Sequence, residues 1–95
     1  AEAQSSRKWI SCTPMFPATY PSRAGVRCKE SFSGISYFSA SSKDAAYAAR
    51  VLSLATTAQV SGRKLNIMYD PSDISGHSFG CQKNDCRVIL GIGLN

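Results

Sequence analysis

Four cysteines stand at positions 12, 28, 81 and 86 of a chain of 95 residues. A chain this short holds one hydrophobic core. A small domain with an even cysteine count is the kind that fastens such a core with disulfides in an oxidising compartment. Three pairings are open, and the one between near neighbours is expected: Cys12 with Cys28, and Cys81 with Cys86. Cys81-Gln82-Lys83-Asn84-Asp85-Cys86 is a polar loop that a short bridge closes into a tight turn. Cys12 and Cys28 each fall in a strand-like run, with a proline-rich turn between them. The alternative is four free buried thiols in a cytosolic protein. Ala1-Glu2-Ala3 has the small-x-small form of a signal cleavage site, and equally that of an expression-vector remnant.

Several function classes drop out. The chain has one histidine and no Cys-x-x-Cys, so no zinc site is expected. It has neither a Gly-x-x-x-x-Gly-Lys nor a Gly-x-Gly-x-x-Gly run, so no nucleotide cofactor is expected either. Its longest apolar run, residues 88–94, is far short of the roughly 20 residues that span a bilayer, which argues against membrane insertion. Lys and Arg number 11 against 6 Asp and Glu, a net charge of +5, so anionic partners are favoured.

The periodicity reads as mainly β with one helix. Residues 1–6 are small and polar and are expected to form a flexible N-terminal segment. Residues 7–95 are expected to form a single domain. Residues 8–13 are rich in β-formers. Pro14, Pro17 and Pro21 then predict a long, stiff connection over residues 14–24. Residues 25–32 alternate, with Val26 and Cys28 on one side and Arg27 and Lys29 on the other. Ser33-Gly34 turns the chain into a third strand over residues 35–40. Ser41 followed by Asp44 imitates a capping box and opens an alanine-rich helix over residues 44–59, closed by Gly62. Residues 65–69 alternate as a fourth strand. Residues 70–80 are turn-rich, and residues 87–94 form a last strand. The order β-β-β-α-β-β is that of the OB-fold, a five-stranded barrel. The competing arrangement is a helix packed on an open antiparallel sheet.

Chemistry-bearing residues are few. His77, with Asp73, Ser75 and Ser78, fits the residue types of a nucleophilic triad, but closeness in one loop is not geometry. A ribonuclease would pair Glu30 with His77 and hold phosphate with Arg27 or Arg87. A nucleic-acid face would use Arg27, Lys29, Phe32, Tyr37 and Phe38. Loop residues are the plainer reading of the first group, and a solvated strand face with core aromatics of the last. No catalytic residue is therefore assigned. Tyr20-Pro21-Ser22-Arg23 is the most suggestive segment: a stiffened turn offering a ring for a sugar's apolar face, and a hydroxyl and guanidinium for an acidic sugar's carboxylate.

The helix and its sequel, residues 41–69, resemble the helix–glycine–strand core of the B subunits of bacterial AB toxins, in the subtilase-cytotoxin and pertussis-like branch. Residues 86–94 resemble the last strand of that family, and the separation of Cys12 and Cys28 is similar to that of a disulfide in the subtilase-type subunits. The resemblance implies a secreted OB-fold subunit that passes through the periplasm to the outside. It implies a ring-shaped homopentamer with helices lining a channel for the tail of an enzymatic A subunit, binding sialylated host-surface glycans. The family's Tyr-x-Ser pair and distant Arg match Tyr20, Ser22 and Arg23, although in the family the pair precedes the first cysteine. The competing readings are a secreted basic module binding nucleic acid or another anionic polymer, with nucleic acid disfavoured as the partner, and a small secreted ribonuclease.

Overall fold

A computed structural model of the chain describes residues 7–95. The expected flexible segment at residues 1–6 lies outside the described residues. The protein is mainly β with one helix, as its periodicity predicts. In chain order come β1 (Lys8–Cys12), β2 (Pro14–Tyr20), β3 (Arg23–Phe32), β4 (Ile35–Ser41), α1 (Ala45–Ser61), β5 (Leu65–Tyr69), a 3-10 helix at Ser75–Phe79, β6 (Cys86–Val88) and β7 (Gly91–Leu94).

The strands do not close into the single hydrogen-bonded ring of a barrel. They form two sheets, one ordered β1-β5-β7 and the other β2-β3-β4-β6, in which β4 and β6 run parallel. Five strands were expected and seven are present among the described residues, because the expected connection over residues 14–24 contains β2 and the expected last strand is divided into β6 and β7 where it passes from one sheet to the other. At the first bend, β1 ends at Cys12 and β2 begins at Pro14. At the second, Ile89 N–H donates to the Ser39 carbonyl of one sheet at 2.8 Å, and Leu90 N–H donates to the Met68 carbonyl of the other at 2.8 Å.

Residues 14–20 of the expected connection are the strand β2. Pro14 and Pro17 are tolerated because β2 is an edge strand paired only with β3, so a missing N–H breaks no second ladder. Helix α1 starts one residue after the expected Asp44 and runs two residues past Gln59, and its cap is not Ser41. Asp44 caps it, its carboxylate accepting from Tyr47 N–H at 3.0 Å, while Ser41 Oγ accepts from Lys43 N–H. Gly62, at φ 71°, closes it in the left-handed conformation, as expected.

Both sheets share one core. Phe38 of β4 meets Tyr69 of β5 edge-on at 4.9 Å between ring centres, which joins the sheets by packing. The buried face of α1 is Ala48, Val51, Ala55 and Ala58, and its small side chains bring the helix close to β2 and β3. Both disulfides pair as expected. Cys12–Cys28 links the two sheets and Cys81–Cys86 closes the polar loop. The Cys12–Cys28 link spans 16 residues of chain, worth roughly 3 kcal/mol in the chain-entropy account.

Beside that link, Thr13 N–H and Oγ1–H both donate to the Glu30 carboxylate, at 2.8 and 2.6 Å. Partial burial pushes the Glu30 pKa up, and the Thr13 hydrogen bonds more than offset it, so the carboxyl titrates below its ordinary value. A depressed folded-state pKa makes this stabilisation complete above the unfolded value, near 4.5, and lost as pH falls through the folded value. Chemical denaturation between pH 7 and pH 3 is therefore expected to show part of the acid-side loss of stability disappear in Glu30→Gln. Parallel curves for the two proteins would contradict this.

Candidate functional site

Pairing across β2, β3 and β4 builds a cleft of about 270 Å³ on the outward face of the larger sheet. Alternate residues of neighbouring strands stand in rows across a sheet. Here Phe16, Arg27 and Tyr37 form one row, Ala18, Gly25 and Ser39 the next, and Tyr20, Arg23 and Ser41 the third. The middle row is small and is the floor. The outer rows are large and are two of the walls. Gly80, Gln82, Asp85 and Cys86 close a third side.

The floor is tight. A Cβ at Gly25 would collide with the Phe38 carbonyl oxygen and come within 2.6 Å of Ser39 Oγ. Ser39 is only 6% exposed, and its Oγ lies 3.7 Å from Cys86 Sγ. That sulfur is in a disulfide and carries no proton, so the Ser39 hydroxyl is the donor.

The walls carry two guanidinium–aromatic stacks. The Arg23 guanidinium lies 4.3 Å from the centre of the Tyr20 ring, and the Arg27 guanidinium 5.6 Å from that of Tyr37. Arg23 is held from the other side by Gly80, where φ is 102° and any Cβ would run into the guanidinium. Its NH1 also donates a long hydrogen bond of 3.5 Å to the Phe79 carbonyl. Held between the Tyr20 ring and Gly80, Arg23 keeps further N–H donors for a ligand, and a guanidinium fork suits a carboxylate. Among the described residues, no carboxylate pairs with Arg23 or Arg27. Phe16 is 57% exposed and takes part in no ring or cation stack among the described residues, so its face is open.

The third wall is anchored from both ends. The Asp85 carbonyl accepts from Ser36 N–H at 3.1 Å and Tyr37 N–H at 3.0 Å, which docks the Cys81–Cys86 loop on β4. Arg87 donates to the carbonyls of Pro71, Lys83 and Cys86 at 2.7, 2.6 and 2.7 Å and ties the loop to its neighbours.

Tyr20 and Arg23 of the expected trio line this cleft. Ser22 does not line it: it sits in the β2–β3 turn, with its Oγ donating to the Phe79 carbonyl at 2.9 Å. Phe16, Gln82 and Asp85 were not singled out in advance, although the small residues at 18, 25 and 39 flanked by large ones are a readable signal once the strands are aligned. Of the residues weighed for a nucleic-acid face, Arg27 and Tyr37 line the cleft and Lys29 is outward and exposed, whereas Phe38 lies in the core and Phe32 packs against it.

Of the residues weighed for hydrolysis, Arg27 lines the cleft and His77 is exposed in the 3-10 helix with no side-chain hydrogen bond to Asp73, Ser75 or Ser78, so no triad is assembled among the described residues; the others are engaged elsewhere. Asp73 accepts from Ser75 N–H at 2.9 Å, and hydrogen bonding from Ser75 holds its carboxyl below the ordinary range. Ser78 Oγ donates to the Ser75 carbonyl, Glu30 is bonded to Thr13, and Arg87 to the three carbonyls. Among the described residues no cluster of His, Cys, Asp or Glu has the form of a metal site, and no helix is long and apolar enough to cross a membrane.

No family model, curated protein or solved structure matches this chain.

Gly25→Ala is expected to lower the unfolding free energy by about 1–3 kcal/mol, because the obstructing atom is backbone and cannot rotate away. Urea denaturation checks it: the midpoint should fall with an unchanged slope. An unshifted midpoint would mean that the floor has room to spare.

Proposed function

We propose that this protein is a secreted, non-enzymatic glycan-binding module whose site is the cleft at Tyr20 and Arg23, with Ser22 bracing the turn that carries them. The carrying observation is one juxtaposition: the open face of Phe16 and the edge donors of Arg23 border the same sugar-sized cleft. An aromatic face takes the apolar side of a sugar ring. A guanidinium fork takes a carboxylate in its plane. The cleft volume, about 270 Å³, lies just under the roughly 300 Å³ where drug-sized sites begin, a scale that suits one sugar ring with its neighbour projecting outward. Two disulfides, Cys12–Cys28 and Cys81–Cys86, favour an extracellular setting.

The fold reading is part of the same proposal. When β1 with β2, and β6 with β7, are each counted as one bent strand, the path runs first to second to third to fifth to fourth and back to the first. The helix then falls between the third and fourth. That connectivity is OB-like, and it supports the likeness to toxin B subunits drawn from residues 41–69. On that reading the chain forms a homopentamer that accompanies an enzymatic A subunit and binds sialylated host-surface glycans. The helix face of Ala49, Leu52, Thr56 and Val60 is available for assembly, and Val60 is 81% exposed.

A glycan array tests the site. Ala18→Phe fills the floor from an outward position and is expected to abolish binding, and Tyr20→Ala to weaken it about two- to five-fold through loss of the Arg23 stack. Full binding by Ala18→Phe would remove the cleft from the proposal. Assembly is tested separately by sedimentation equilibrium, which should give about five times the 10.2 kDa chain mass. A monomer at all concentrations would discard the ring and leave the cleft standing.

A further inference from the structure

We propose that the cleft selects a glycan segment with acidic groups on two neighbouring sugars, one held by Arg23 and the other by Arg27, over a glycan with a single acidic terminal sugar. This rests on the glycan reading above and names the ligand class within it.

The argument begins with β3. Arg23, Gly25 and Arg27 share its outward face. Pairing with β2 and β4 is regular from Arg23 to Arg27, so the two arginines are separated by four strand steps, about 13 Å between their Cα atoms at the usual rise. That distance suits two linked sugar rings and is long for one. Between them the floor is Gly25, with Ala18 and Ser39 on either side, so nothing rises to divide the cleft.

Both arginines are prepared in the same manner. Each guanidinium lies over a tyrosine ring, Tyr20 for Arg23 and Tyr37 for Arg27. Stacking on a ring restricts a long side chain before any ligand arrives and leaves the in-plane donors free. Neither guanidinium has a carboxylate partner among the described residues. Two stacked cations on one open cleft, neither ion-paired among the described residues, offer contacts to two anionic groups. A single acidic sugar would satisfy one and leave the other solvated.

Asp85 adds selectivity. It lines the same cleft on the third wall, and its carboxylate accepts hydrogen bonds only. It favours a ligand with hydroxyls on the edge facing it and disfavours one that is acidic all round. Sulfated or uronate-containing disaccharide units, with alternating acidic and hydroxyl edges, fit this pattern. A single-stranded nucleic acid fits it less well, because such chains are held by successive open stacking faces. Phe16 is the one exposed cleft aromatic here that no guanidinium covers.

The test is titration calorimetry of the intact disulfide-bonded chain with four probes: a chondroitin-sulfate tetrasaccharide, in which acidic groups alternate with free hydroxyls, a singly sialylated trisaccharide, a neutral trisaccharide and an RNA octamer. The tetrasaccharide is expected to bind at least about ten-fold more tightly than the sialylated trisaccharide, since each charge-assisted contact is worth about that factor. Arg27→Gln should bring the tetrasaccharide down to the trisaccharide level and leave the trisaccharide within about two-fold, while Arg23→Gln weakens both. Arg27 is exposed, and its stack on Tyr37 is its one contact of note, so folding should survive. Arg27→Lys, which keeps the charge but loses the planar stacked fork, should retain only part of the tetrasaccharide preference. Lys64→Gln, outside the cleft, should change nothing. Equal affinity for the two acidic glycans, or no effect of Arg27→Gln, would overturn the inference and leave the glycan reading intact. Failure of every glycan to bind would overturn both. Tighter binding of the RNA octamer with the same arginine dependence would assign the cleft to nucleic acid instead.

Discussion

The molecule depends on a covalent link between two sheets that share no ladder of their own. Cys12 ends β1 in the three-stranded sheet, and Cys28 lies in the middle of β3 in the four-stranded one. The chain between them must turn from the first sheet to the edge of the second, run out along β2 and return along β3. Thr13 is the residue in the corner, and Glu30 satisfies both its N–H and its hydroxyl. Without that carboxylate, the corner would leave a half-buried donor unpaired, which costs more than the bond itself contributes. The opposite corner has no covalent aid. There Ile89 and Leu90, adjacent in sequence, donate to carbonyls of different sheets. Phe38 and Tyr69 then fill the space between.

That arrangement decides where a ligand can go. The inward faces of both sheets are spent on the core and on α1, whose alanines allow the helix to sit close. The proposed binding site uses the outward face of β2, β3 and β4. A flat sheet face is a poor receptor, but three strands in register turn a size pattern into a shape. One row of small residues between two rows of large ones is a trench. The Cys81–Cys86 loop then raises a third side, held by hydrogen bonds from Ser36 and Tyr37 and by the Arg87 clamp.

Much of the scaffold was legible from the residues. Even cysteine count and near spacing point to both disulfides. The alanine-rich run ending at Gly62 points to α1, and alternation in residues 65–69 to β5. What was missed has a common physical cause. Prolines at 14 and 17 read as a broken ladder, yet an edge strand has one unpaired side and can spare those donors. Ser41 read as the cap because a hydroxyl and an acid at that spacing imitate a capping box, but Asp44 accepts the first-turn N–H directly. Residues 87–94 read as one strand because a bend between sheets leaves no mark on an apolar run. The cleft was legible only in part for the same reason. Tyr20 and Arg23 adjoin in sequence across a turn, whereas Phe16, Arg27, Tyr37 and Asp85 meet only through strand register and loop docking.

On the proposed glycan reading, the two arginine–tyrosine stacks give a domain this small a means of directional recognition. A free arginine side chain on a strand loses considerable rotamer entropy when it binds, of the order of 2 kcal/mol if fully fixed. Stacking at an exposed site returns about 0.5–1 kcal/mol, which is modest as stability but is contributed before the ligand arrives. Repeating the device at Arg23 and Arg27 lowers the ordering cost at both ends of one cleft. Because the cleft is open to solvent, the proposed reading expects any single occupancy to be brief. A surface that displays many copies of the ligand offsets this by raising the effective concentration for rebinding. The same gain would follow from joining several domains, and the exposed face of α1 leaves room for that without covering the trench.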